Sequence, residues 1–75
     1  MSNTTTARKI HLRRMMTGWY VFNSADYAHE FNIHKIGAGV WRIDHTDRTN
    51  YPTETEESWI VENLDKARSF IANTI

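Results

Sequence analysis

Seventy-five residues leave room for one small core, and a chain of that size buries only about 60 % of the surface its unfolded form exposes. The absence of cysteine removes disulfide stapling and thiolate metal sites together. Nine acidic and nine basic residues cancel, which argues against the uniformly basic surface of a typical nucleic-acid binder.

The balance conceals a segregation. Residues 1–24 carry Arg8, Lys9, Arg13 and Arg14 with no acid, a net +4; residues 25–75 carry nine acids against Lys35, Arg42, Arg48, Lys66 and Arg68, a net −4. A basic arm on an acidic body is a sign of a partner-binding tail. The plainer reading is a solvated leader. No apolar run follows the early basic residues, so neither a signal peptide nor a membrane span is expected, and the lack of cysteine fits a cytoplasmic setting.

In chain order, "MSNTTT" is polar and reads as a disordered start. "ARKIHLRRMM" fits either period two or a capped helix, and the compact domain is expected over residues 15–75, with 1–14 a flexible basic arm. "TGWYVFNS" reads as a strand, with Trp19 and Val21 on one side and Tyr20 and Phe22 on the other. A turn at Ser24–Asp26 leads to a second strand over 27–36, in which Phe31 and Ile33 share a parity. A short helix over 25–30 is the competing reading.

"IGAGVWRID", residues 36–44, predicts a hairpin. A three-residue loop at 37–39 pairs Ile36 with Val40, Lys35 with Trp41, His34 with Arg42, Ile33 with Ile43 and Phe31 with His45. This puts Phe31, Ile33, Trp41 and Ile43 on one face and Asn32, His34, Arg42 and Asp44 on the other. A one-residue slip would scatter the apolar set, so burial selects this register. The polar, Pro52-containing "HTDRTNYPTETEES" reads as a long connection, and "SWIVE" as a short partner strand for the hairpin. The C-terminus is the clearest helix: Asn63 caps it, Asp65 sits in its first turn, and Leu64, Ala67, Phe70, Ile71 and Ile75 recur at spacings of three and four. The expected fold is a small α+β domain, a three-stranded antiparallel sheet packed on one C-terminal helix, with a flexible basic N-terminal arm.

No catalytic motif accompanies these elements. Ser24, Ser58 and Ser69 lack an elbow motif or a base at a suggestive spacing, and the glycines of "GAG" form no phosphate loop because no helix follows them. Four histidines invite a metal, but no HExxH or H-x-x-x-H spacing exists, and His34 and His45 fall on opposite parities. No catalytic residue, metal or cofactor is therefore expected.

Two binding readings remain. In the first, a non-enzymatic DNA-binding accessory or regulatory protein, Arg8, Lys9, Arg13 and Arg14 contact phosphates while the sheet presents Asn32, His34 and Arg42 to a double-stranded major groove. In the second, an acidic protein-interaction module, Asp44, Asp47, Glu54, Glu56 and Glu57 engage a basic host protein. Either polar set is also explained by solvation alone, the sheet face being then a wetted surface with Arg42 paired to Asp44 or Glu30. Exposed sheet edges make a homodimer feasible.

The run Gly39-Val40-Trp41 entering a hairpin strand, with Trp59, Asn63 and Ala67 on a last strand and capped helix, resembles AP2/ERF-type and phage-integrase arm-type DNA-binding domains. The resemblance spans residues 18–72 and implies a sheet in the major groove, with Arg42 and Trp41 the matching positions. "TGWYVF" departs from it by lacking basic residues. The pattern is also similar to small bacteriophage proteins, especially from phages of actinobacteria, which implies an accessory or host-directed inhibitory role.

Overall fold

The computed structural model describes residues 10–75. Its strands are β1 (Arg13–Met16), β2 (Trp19–Asn23), β3 (His29–Gly37), β4 (Val40–Asn50) and β5 (Thr53–Val61), followed by helix α1 (Leu64–Thr74). They form one antiparallel sheet in the order β1-β2-β3-β4-β5, each strand beside its sequence neighbour. The architecture is thus α+β with a C-terminal helix, and the sheet has five strands where three were expected.

Two local effects account for the difference. Arg13–Met16 pairs with β2 despite its two arginines, because an exposed edge position places no apolar requirement on a strand. The stretch expected as a long connection is the outer half of the β4–β5 hairpin. Asp47 pairs with Thr55 and Asn50 with Thr53, around a turn at Tyr51 and Pro52. Thr46, Thr49, Thr53 and Thr55 suit a pleated backbone, and polar strands suffice where the hairpin runs beyond the helix-covered core.

The β3–β4 register follows the hydrophobic argument. Phe31 faces His45, Ile33 faces Ile43, His34 faces Arg42 and Lys35 faces Trp41. The turn itself is shorter than expected: Gly37, not Ile36, pairs with Val40, the register shifts between Lys35 and Gly37, and Ile36 is left exposed. Gly39 takes the left-handed conformation the tight turn needs, at φ 65°. At the other connection Ser24 closes the loop, and Tyr27 carries the positive φ of 59°. Residues 25–28 are turn and bend, not helix.

The core lies between one sheet face and α1. Ile10, Phe31, Ile33, Ile43, Ala67 and Ile71 are buried together, with Leu12, Tyr20, Phe22, Trp41, Val61, Leu64, Phe70 and Ala72 packed around them. Each of Phe31, Ile33, Ile43 and Ile71 is fully buried and contributes roughly 1.5–3 kcal/mol. The Asn63 side chain caps α1 by accepting from the Lys66 amide at 2.8 Å. Of the arm expected over 1–14, residues 1–9 lie outside the described residues, Ile10 is in the core, and Arg13 and Arg14 stand in β1. No helix among the described residues is long and apolar enough to cross a membrane.

Candidate functional site

Alternation along the strands leaves one sheet face that no helix of the described residues covers. Register places Arg13, Val21, Asn32, Asp44 and Ser58 in one row across it, and Met16, Trp19, His34, Arg42 and Ile60 in the next. A third row carries Asn23, Glu30, Thr46 and Glu56. Asn32, His34 and Arg42, expected to project together, do share this face.

Arg42 pairs with Asp44, as its neighbours in sequence suggest, whereas Asn32 and His34 are engaged by partners the sequence did not single out. Trp19 stacks on His34, ring centroids 5.7 Å apart and planes 14° from parallel. Its indole N–H donates to Asn32 Oδ1 at 3.0 Å. The Asn32 amide donates to Glu30 Oε2 at 3.2 Å, and Arg48 Nη2 donates to Glu30 Oε1 at 2.8 Å. Arg48 Nε then reaches Glu54 Oε2 at 2.9 Å, so one chain of bonds runs from β2 to β5. A second, shorter chain holds Arg42 Nε to Asp44 Oδ1 at 3.2 Å, with the Ser58 hydroxyl donating to the same oxygen at 2.7 Å.

These bonds fix protonation as well as geometry. Hydrogen bonding to Arg48 holds the Glu30 carboxyl below the usual range, against the opposing effect of its partial burial. The two carboxylates around Arg48 raise its already high pKa. Among the described residues the face carries Arg13, Arg42 and Arg48 against Glu30, Asp44, Glu54 and Glu56, three cations to four anions. Its exposed apolar atoms are concentrated in the Trp19 row, at whose ends Met16 is 62 % and Ile60 60 % exposed.

The two sequence-derived sets are distributed unevenly. Arg8 and Lys9 lie outside the described residues. Arg13 is on the helix-free face, and Arg14, opposite Tyr20, is on the other, where it donates to the Thr17 hydroxyl at 2.9 Å. Among the acids, Asp44, Glu54 and Glu56 share the helix-free face, whereas Asp47 and Glu57 lie on the helix side by register with His29 and His45. Trp41, carried over from the family resemblance, faces the core side, tilted against Tyr20 at 6.0 Å.

Sequence reasoning missed the Trp19–Asn32–Glu30–Arg48–Glu54 chain because three of its four links cross between strands. It also missed a cluster on the helix side, where His29, His45 and Asp47 meet. The signal was present: pairing Phe31 with His45 forces His29 opposite Asp47, all on one parity. Compared with known proteins, the chain matches no family model, no curated protein and no solved structure.

Proposed function

We propose that this chain is a non-enzymatic protein-binding module whose contact surface is the helix-free face of the sheet. The carrying observation is that, among the described residues, Glu30, Asp44, Glu54 and Glu56 outnumber Arg13, Arg42 and Arg48 on that face, with Arg42 and Arg48 already paired to carboxylates and with exposed Met16 and Ile60 at its two sides. The surface suits a partner segment crossing the strands, with one large apolar side chain over Trp19 and Met16 and another over Ile60, and with lysine or arginine for Asp44, Glu54 and Glu56. Aromatic anchors ringed by polar groups carry most of the energy of such contacts.

A second reading keeps double-stranded DNA as the partner. It rests on Arg13 and Arg14, exposed on the β1 edge in continuation of Arg8 and Lys9. Here phosphate contacts by the basic segment dominate, and the sheet face contributes little.

One experiment separates the two. The full chain is used to select from a displayed random-peptide library and, in parallel, titrated with a fluorescent DNA duplex. Enrichment of peptides combining basic and large apolar residues, abolished by Ile60→Glu and by the Glu54→Lys/Glu56→Lys pair, is the expected result. No enrichment, or duplex binding indifferent to Ile60→Glu and lost on substitution of Arg13 and Arg14, overturns it.

A further inference from the structure

The corner where β3 begins and β4 passes the middle of its length brings three metal-ligating side chains to one point. His29 and Asp47 are direct cross-strand partners, and His45 lies two residues before Asp47 on the same side of β4. One ligand atom from each lies within 4.8 Å of the other two. His29 Nδ1 and His45 Nε2 face each other at 3.0 Å. Two ligands bound tetrahedrally to zinc at about 2.0–2.1 Å sit roughly 3.3 Å apart, so the imidazole pair already has nearly the required spacing.

The groups are held in place before any ion arrives. His45 is buried flat against Phe31, ring centroids 4.3 Å apart and planes 4° from parallel. The His29 amide donates to the Ser24 hydroxyl oxygen at 3.1 Å, and the His29 carbonyl accepts from the Ser24 amide at 2.9 Å. Asp47 Oδ1 accepts from both the amide and the hydroxyl of Thr49, at 2.9 and 2.7 Å. Support of this kind around a carboxylate ligand is what orients metal sites. A plain imidazole–imidazole hydrogen bond would account for the 3.0 Å contact, but it requires neither Asp47 nor its double anchoring.

We infer that His29, His45 and Asp47 form a binding site for one borderline divalent cation of the zinc type, with water completing the coordination. Two imidazoles and one carboxylate suit zinc, copper, nickel or iron and disfavour calcium or magnesium, which take oxygen ligands. Glu57, opposite His45 in register and on the same face, is the nearest further carboxylate by topology. A bound ion would tie the start of β3 to the middle of β4. Because the site lies on the helix side, it stands or falls separately from the partner-binding face.

The test uses the full, untagged chain. Calorimetric titration with zinc chloride should give one equivalent bound, and zinc should raise the melting temperature, with EDTA restoring it. In NMR spectra the ring signals of His29 and His45 should shift while those of His34 stay. His29→Ala should weaken binding by at least about tenfold, the lower end of what losing even an outer-shell partner costs. Asp47→Asn, which keeps an oxygen for Thr49, should weaken it as well, and His34→Ala should not. Melting curves without metal establish that each variant folds. Absence of saturable binding at millimolar zinc, or binding unchanged in folded His29→Ala, overturns the site.

Discussion

Ile71→Ala tests whether the fold depends on docking α1. Ile71 is fully buried one turn beyond Ala67, and these two are the only buried residues of the helix. Removing a buried isoleucine to its Cβ costs about 2–5 kcal/mol, the lost transfer energy plus the cavity. At 0.05–0.15 kcal/mol per residue, a chain of this length has about 4–11 kcal/mol in total. The variant should therefore lose a large share of its stability, lowering the melting temperature by on the order of 10–30 °C. An eleven-residue helix is marginal alone in water, so it should not survive as a separate unit. Far-ultraviolet circular dichroism reports α1, and tryptophan fluorescence reports the sheet, since Trp59 lies 5.4 Å from Phe70 and both other tryptophans are in strands. The two melting curves should coincide in wild type and variant alike. A shift of only a few degrees, or helix signal lost well before the tryptophan signal, would refute the argument that α1 and the sheet share one core.

Asn63→Ala removes the side chain that caps α1 and should cost about 1 kcal/mol in urea unfolding, with the m-value unchanged. Gly39→Ala places a Cβ in open space but on a residue at φ 65°, so its cost, about 1 kcal/mol, should be backbone strain alone and equal for Gly39→Ser. Glu30 has a carboxyl held below its unfolded value by Arg48, so its stabilisation is present above the unfolded pKa and is lost as pH falls through the folded one. Acid titration of stability should accordingly be shallower in Glu30→Gln than in wild type. If the four basic residues of the N-terminal segment bound a duplex, log K would fall with log salt at a slope near −3.6; the protein-partner reading predicts a much shallower slope for the selected peptides.

The hairpin register was legible because one slip would have exposed Phe31, Ile33, Trp41 and Ile43 together, and nothing else in the stretch competes with that penalty. The helix was legible because cap, charge order and apolar spacing agree from Asn63 to Ile71. The outer β4–β5 hairpin was not, since Thr46–Asn50 and Thr53–Glu57 lie beyond the core and carry no apolar alternation to read. The same holds for β1, whose arginines are tolerated at an edge. At the candidate site, the identities of Asn32, His34 and Arg42 and their shared face were legible from parity. Asp44 as a partner of Arg42 was legible too, two residues along the same strand; the partners of Asn32 and His34 were not. Glu30 accepts from Arg48 across eighteen residues of sequence, a contact set by the strand order and not by any local pattern.

Arg42 shows why partners matter more than identity at such a face. Its bond to Asp44 is largely exposed and on its own contributes no more than about 1 kcal/mol, so it does not lock the guanidinium away. The carboxylate nevertheless stays beside it, fixed from the other side by Ser58. A phosphate brought to Arg42 comes within a few ångströms of Asp44, and at such distances the attraction and the repulsion are each about 1–4 kcal/mol and largely cancel. A lysine or arginine from a protein partner meets the same cancellation at the Arg42–Asp44 pair, but among the described residues the acids of this face outnumber its cations by one, and Glu56 forms none of its ion pairs. Ile60, adjacent to Arg42 in register, adds apolar area that phosphate cannot use and a protein side chain can. The company of Asp44 and Ile60 is thus what makes Arg42 support the proposed protein contact better than a phosphate contact.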